Sequence, residues 1–468
     1  MTPSVYLPNS FAAAPRSEQM NLFQKVAFSL LLAEMFIGYT RLFDQVAVGF
    51  RIPGIVLGLS IPFSVMSGAL IRGFESKAGR TMLAFVAWVT VTVPLGLWRS
   101  GSLPFYGGII QSLFFFGLAA GLVFSVRHSQ LIMNTLALSI LVAAILSRFF
   151  GTDAGGRLAL AVGEYQDPNE YSMCLLMGIP LWWRIAATSN AKLLKFISLL
   201  CTIPIFWVLS RTGSRGGSIG LIAVLLVLFI GASIGKKALI IAITVLGSLT
   251  TVAYMPDYLK ARYQTYFQAD AGEPGDLGAD AASGRERKDL VIKSIFITMH
   301  YPIFGVGPGN FPVAVFEDAK AHGERYPWLV THNSYTQISS ETGIPGLILF
   351  VAIIVYAFKS LSVVLTLTGP RSPTPLPDIE STARYFRLSL IGVCVCMMFL
   401  SVAYTPLIYI LAGIAVGLER VVRLEIARVQ NAPQQPVRQP FVESKFAPTP
   451  ALTGPRPVGF RTPGRALR

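Results

Sequence analysis

The sequence predicts an all-α polytopic membrane protein, on three observations. Hydrophobic residues make up 53% of the 468 residues, and charged residues only 13%. Soluble domains carry about 25% charged residues. The mean hydropathy is +0.58. The apolar residues also fall into runs long enough to cross a bilayer as helices, which takes roughly 20 residues each.

The runs are centred near residues 30, 62, 89, 115, 139, 179, 202, 225, 246, 356, 394 and 413, giving about twelve spans. The first is weakened by Glu34, and the last two are close enough to form a re-entrant pair. Residues 1–20 are polar and begin no signal peptide, so they are expected to be a cytoplasmic N-terminal segment. With that start, every even connection is basic: Arg72, Lys77 and Arg80, then Arg127, Arg184 to Lys195, Lys236 and Lys237, and Arg371 to Arg387. Basic loops mark the cytoplasmic side. Much of the +15 net charge therefore reads as a topology signal, and nucleic acid is not an expected partner. Residues 426–468 are basic and Pro-rich without a period, which predicts a disordered cytoplasmic tail. The four cysteines, Cys174, Cys201, Cys394 and Cys396, lie in apolar runs without metal-ligand company, so neither disulfides nor zinc are expected.

One polar island interrupts the domain formed by residues 21–425. It is an extracytoplasmic loop over 256–343, between the ninth and tenth spans. Ser283 and Glu286 have capping-box spacing, which predicts a helix start that puts Arg285 in an unfavourable first turn. Gly305-Val306-Gly307-Pro308-Gly309-Asn310 lacks the strand context and the Gly-Lys-Ser/Thr of a nucleotide loop. It reads as a turn into a helix capped by Asn310, with Pro312 in the first turn. A second helix is expected to start at Thr331 or Asn333 and stop at Gly343, ahead of Pro345. His332 then sits at a helix N-terminus, where the dipole favours the neutral ring. It reads either as a capping or packing histidine, or as a general base with Asn333, Ser334 and Tyr335 around it.

Two further outer turns carry polar residues. Ser214 and its neighbours form a glycine-rich turn with Arg211 and Arg215, which would share a face on a helical continuation. The turn reads as an anion clamp, because arginine's planar fork suits phosphate, or as two snorkelling arginines. Asp167-Pro168-Asn169-Glu170 reads as a turn and N-cap, or as a source of ligand contacts. The spacings of His300, His322 and His332 match no zinc pattern, so no metal site is expected.

The run Gly305 to Phe311, with His332-Asn333-Ser334-Tyr335 and Glu341 to Gly346, resembles the bacterial O-antigen ligase and polymerase-related membrane family. Ser214-Arg215-Gly216, Ser283-Gly284-Arg285 and Asp167-Pro168-Asn169 are similar to further family motifs. The resemblance covers residues 20 to 425. It implies a multi-span glycosyltransferase of the bacterial inner membrane, with its site facing the periplasm. The implied donor is a glycan on undecaprenyl diphosphate, and the acceptor a lipid A-core, a similar glycolipid, or another glycan; no cofactor is implied. By this resemblance Arg215 and Arg285 hold the diphosphate, with Arg211 nearby, and His332 is the base of an inverting transfer. Asn333, Ser334, Tyr335, Ser214, Asn169 and Glu341 are supporting residues. Ligase and polymerase stay unseparated. A lipid or sugar transporter is the alternative of another class, although few charges lie at membrane depth and no internal repeat is present. A structural or sensor protein is a third reading.

Overall fold

The computed structural model describes residues 20–47, 50–153, 156–254, 260, 276–323 and 327–431. Residues 1–19 and 432–468, most of the expected N-terminal segment and tail, lie outside the described residues, as does most of 255–275. All that follows concerns the unit that ends at Ile426.

The described residues are helical nearly throughout. It begins α1 (Leu22–Thr40), α2 (Leu42–Val46), α3 (Ile52–Met66), α4 (Ala69–Phe74), α5 (Lys77–Leu95), α6 (Arg99–Gly121) and α7 (Val126–Phe150). After a connection come α8 (Pro168–Thr188), α9 (Lys192–Leu200), α10 (Thr202–Arg211), α11 (Arg215–Ile230) and α12 (Ile234–Tyr254). The polar island supplies α13 (Asp276–His300) and α14 (Phe311–Ala321). Last are α15 (Ser334–Thr368), α16 (Pro377–Cys396) and α17 (Leu407–Asn431). Each of the twelve expected span centres falls in this helical framework. Among the described residues, seven helical stretches are long and apolar enough to cross a membrane by length and composition, and α3 and α11 are shorter apolar helices.

Local chemistry explains the boundaries. Asn21 caps α1 in a capping box with Gln24, so the helix forms despite Glu34. Asp167 caps α8 by accepting from the backbone of Asn169, with Pro168 in the first turn, as expected. Gly151–Asp153 and Leu158–Leu160 pair as a short antiparallel hairpin before α8, which the sequence analysis did not anticipate.

The core gathers around α8 and α17. Most of α8 is buried, and α17 is buried over much of its length. Small residues set the approach of their neighbours. A Cβ at Gly413 would lie 2.7 Å from the Phe116 carbonyl, and one at Gly417 would lie 3.0 Å from Val123. Gly220 and Gly392 both close on Leu176 of α8. Large apolar residues such as Leu83, Ile222 and Leu226 face outward, as lipid-contacting helix faces do.

Three expectations are corrected. Ser283 is no N-cap, because α13 starts at Asp276 and runs through it. The alanine-rich segment before Ser283 favours helix, so Arg285 lies well inside α13 and not in a disfavoured first turn. Arg211 and Arg215 do not share one helix face: Arg211 ends α10 and Arg215 begins α11, with Gly213 between them in the left-handed region at φ 55°. Asn310 stands at the N-cap position of α14, but its side chain does not cap; Nδ2 donates to the Val306 carbonyl and the Ser102 hydroxyl.

Candidate active site

The segment between α16 and α17, residues 397–406, meets both the start of α15 and the arginine turn. His332 precedes the N-cap of α15, and Asn333 is that cap, accepting from the backbones of Tyr335 and Thr336. Ser334 donates to the Leu400 carbonyl and accepts from Val402 N–H. The Tyr335 hydroxyl donates to the Cys394 carbonyl at 3.0 Å. These three side chains therefore secure the start of α15 against α16 and the following segment. They leave His332 as the member of the motif with a side chain not committed to the fold.

His332 has φ 51°, one of three non-glycine residues with positive φ among the described residues. Such a conformation costs of order 1–3 kcal/mol and persists only when the surroundings over-determine it. Here the His332 N–H donates to the Ser401 hydroxyl at 2.8 Å, and Ser401 also bonds the Thr331 hydroxyl at 3.0 Å. Burial lowers the His332 pKa below its usual 6.5, the charge of Arg287 lowers it further, and Asp167 opposes both. The ring is therefore neutral at pH 7 and able to accept a proton.

The arginine turn packs onto the same region. Ser214 caps α11 by accepting from Gly217 N–H at 3.1 Å. A Cβ on Gly217 would lie 2.7 Å from the Ser172 hydroxyl of α8, and one on Gly216 would press on Phe399. Arg157 ties the hairpin to both elements, donating to the Thr212 carbonyl at 2.8 Å and to Asn169 Oδ1 at 2.7 Å. Asn169 in turn donates to Asp167. Arg215 thus sits at the first position of α11, where its charge is unfavourable to the helix dipole. The Arg211 guanidinium lies 5.8 Å from the Trp207 ring centre.

Arg285 is exposed on α13, whereas Arg287 is half-buried and its charge bears on His332. Helix α13 is joined to the first part of α15 by a Thr298–Ser339 hydroxyl contact of 2.8 Å.

Glu341 is buried, and its carboxylate accepts from Gly309 N–H at 2.8 Å and Phe311 N–H at 3.4 Å. It holds the glycine loop and the start of α14. The break at Gly343 is where the sequence placed it, but an apolar helix resumes at once, with Gly343 at φ 75° as the kink. Gly305, Gly307 and Gly309 all have positive φ, and the loop they form lies against Gly96 and Phe105 at the α5–α6 corner.

Sequence reasoning missed Ser401, Arg157 and Arg287. Ser401 and Arg157 act across long sequence separations and carry no motif of their own. Arg287 was legible only as a second arginine beside Arg285. Among the described residues, no three His, Cys, Asp or Glu side chains converge as a metal site would require.

These elements define a helical membrane protein with a cationic turn and a neutral histidine held beside one inter-helix segment. Residues 197–351, about a third of the chain, match the family model described as O-antigen ligase, which relates the chain to the O-antigen ligase family. The relation implies membrane glycosyl transfer of the ligase or polymerase kind. The matched stretch includes Arg211, Arg215, Arg285, Arg287, His332 and Glu341, and leaves out Asn169 and Ser401. No curated protein matches the chain.

Proposed function

We propose that this protein transfers a glycan from an undecaprenyl-diphosphate carrier to an acceptor hydroxyl, at the periplasmic face of the bacterial inner membrane. The observation that carries the proposal is the gathering of a neutral, conformationally locked His332 and the Arg215 turn around one short segment. His332 accepts the proton of the acceptor hydroxyl as that oxygen bonds to the anomeric carbon. The bond from that carbon to the diphosphate breaks, and the lipid diphosphate leaves. Direct displacement inverts the anomeric centre. Arg215, with Arg211, Arg285 and Arg287 as further cations, stabilises the diphosphate and its developing charge, a contribution of a few kcal/mol per donor in a water-poor site. Asn169, Ser214, Asn333, Ser334, Tyr335 and Glu341 position these groups.

The ligase reading, with a lipid A-core or similar acceptor, is preferred because the matching family is described as O-antigen ligase. Glycan analysis of a deletion strain tests it. Polymer that accumulates on its lipid carrier supports a ligase, single repeat units on the carrier point to a polymerase, and unchanged surface glycan rejects transfer. Arg215→Lys keeps the charge and loses the planar fork. Complementation with that variant is expected to restore little glycan, and full restoration would argue against diphosphate binding there.

A further inference from the structure

A cavity of about 360 Å³, which His332 does not line, lies among α1, α3, α6, α8 and the segment before α17. Its volume is at the lower end of small-molecule sites, roughly 300–1,000 Å³. Glu34, Glu164, Glu170 and Gln111 line it together with apolar residues such as Leu57 and Phe115. Glu34 is only 7% exposed, and its Oε1 has no hydrogen-bond partner among the described residues. An ionisable residue in a spanning helix, with an orphaned acceptor in a cavity wall, marks a place for a donor group.

The chemistry of the wall narrows the ligand. Arg41 is the cation in the lining, and it is committed to Glu164 and to Asp44 at 3.2 Å, so an anion meets net negative charge. The carboxylates do not converge as metal ligands. A hydroxyl or an ammonium could supply the donor that Glu34 lacks, and the apolar residues of the wall suit a group with apolar faces. We propose that this cavity binds a polyhydroxylated, uncharged headgroup carried on an alkyl chain, with Glu34 accepting from a hydroxyl and the apolar wall covering the ring face and chain. The cavity adjoins the candidate active site through consecutive residues: Ser401 holds His332 while Val402 lines the cavity, and Asn169 meets Arg157 while Glu170 lines the cavity.

The test is calorimetric titration of hexyl β-glucoside into the full-length protein in phosphatidylcholine nanodiscs, with empty nanodiscs as blank. Saturable binding is expected. Glu34→Leu is expected to weaken it about tenfold or more, as loss of a buried acceptor implies, while Glu34→Gln, which keeps an acceptor, loses much less. Leu57→Trp fills the cavity without altering a carboxylate and is expected to abolish binding, which keeps the proposal testable should Glu34→Leu fail to fold. Binding equal to wild type in a folded Glu34→Leu or in Leu57→Trp overturns the proposal, as does the absence of saturation or tighter binding of hexylammonium than of the glucoside. No turnover is read, so this outcome is independent of the transferase reading.

Discussion

His332 concentrates the residue-scale argument, because its conformation and its charge state are both set by neighbours. The neutral ring is the competent base, and its pKa lies below 6.5. Transfer should therefore be level across neutral pH and fall on an acid limb centred below 6.5, as the ring protonates. Removing the positive charge in Arg287→Ala lets the ring protonate more readily, so the limb should move to higher pH. A pH–rate profile of the two proteins checks both statements, and an unmoved limb would remove Arg287 from the account. Ser401→Ala deletes the acceptor that fixes the left-handed His332 backbone. It is expected to lower the transfer rate several-fold while leaving the pH limb in place, with rescue by Ser401→Thr, because the loss is of positioning and not of the base.

At the scale of elements, the glycine loop and the kinked α15 interlock. Gly307 N–H donates to the Glu341 carbonyl, Val306 N–H to the Ser340 carbonyl, and Ile344 N–H to the Pro302 carbonyl. A Cβ at Gly343 would lie 1.9 Å from the Ile303 carbonyl oxygen, and φ there is 75°. Gly343→Ala should thus cost more than the roughly 1 kcal/mol of an ordinary glycine substitution and expose residues 301–311 to limited proteolysis. Glu341→Ala strands the N–H groups of Gly309 and Phe311, at about 1–3 kcal/mol for each buried group, and thermal unfolding should show the loss. These elements were partly legible. The cap at Asp167, the start of α15 at Asn333 and the break at Gly343 each follow from a residue type with a local backbone preference. The start of α13 was not legible, because a good capping box at Ser283 competes with an equally good helical sequence before it. Asn310 was legible as a position and not as a contact, since its side chain is drawn to Ser102, far away in the sequence.

For the whole molecule, composition announced a helical membrane bundle, and apolar periodicity found the framework. How the candidate residues meet was not legible. Arg215, Asn169 and His332 are scattered over three elements; the Arg215 turn and the His332 segment meet at residues 397–406, a segment with no chemical motif that reads only as the gap between two apolar runs, and Asn169 joins the turn through Arg157. Its role depends on backbone groups, such as the Leu400 carbonyl, which sequence does not distinguish. The proposed orientation has its own test. In a cysteine-free background, cysteine at Lys320 in the polar island should react with a membrane-impermeant maleimide in intact spheroplasts. Cysteine at Arg371, between α15 and α16, should react only after permeabilisation. The reverse pattern would place the histidine and arginine turn on the cytoplasmic side.

The most direct measurement is single-turnover transfer by the purified protein in proteoliposomes, supplied with glycan on undecaprenyl diphosphate and a glycolipid acceptor, wild type against His332→Ala. The account predicts new glycosidic product with wild type and a loss of about a hundredfold or more with His332→Ala, the scale of general-base catalysis, at equal protein level and fold. Product formed by His332→Ala at the wild-type rate would contradict it.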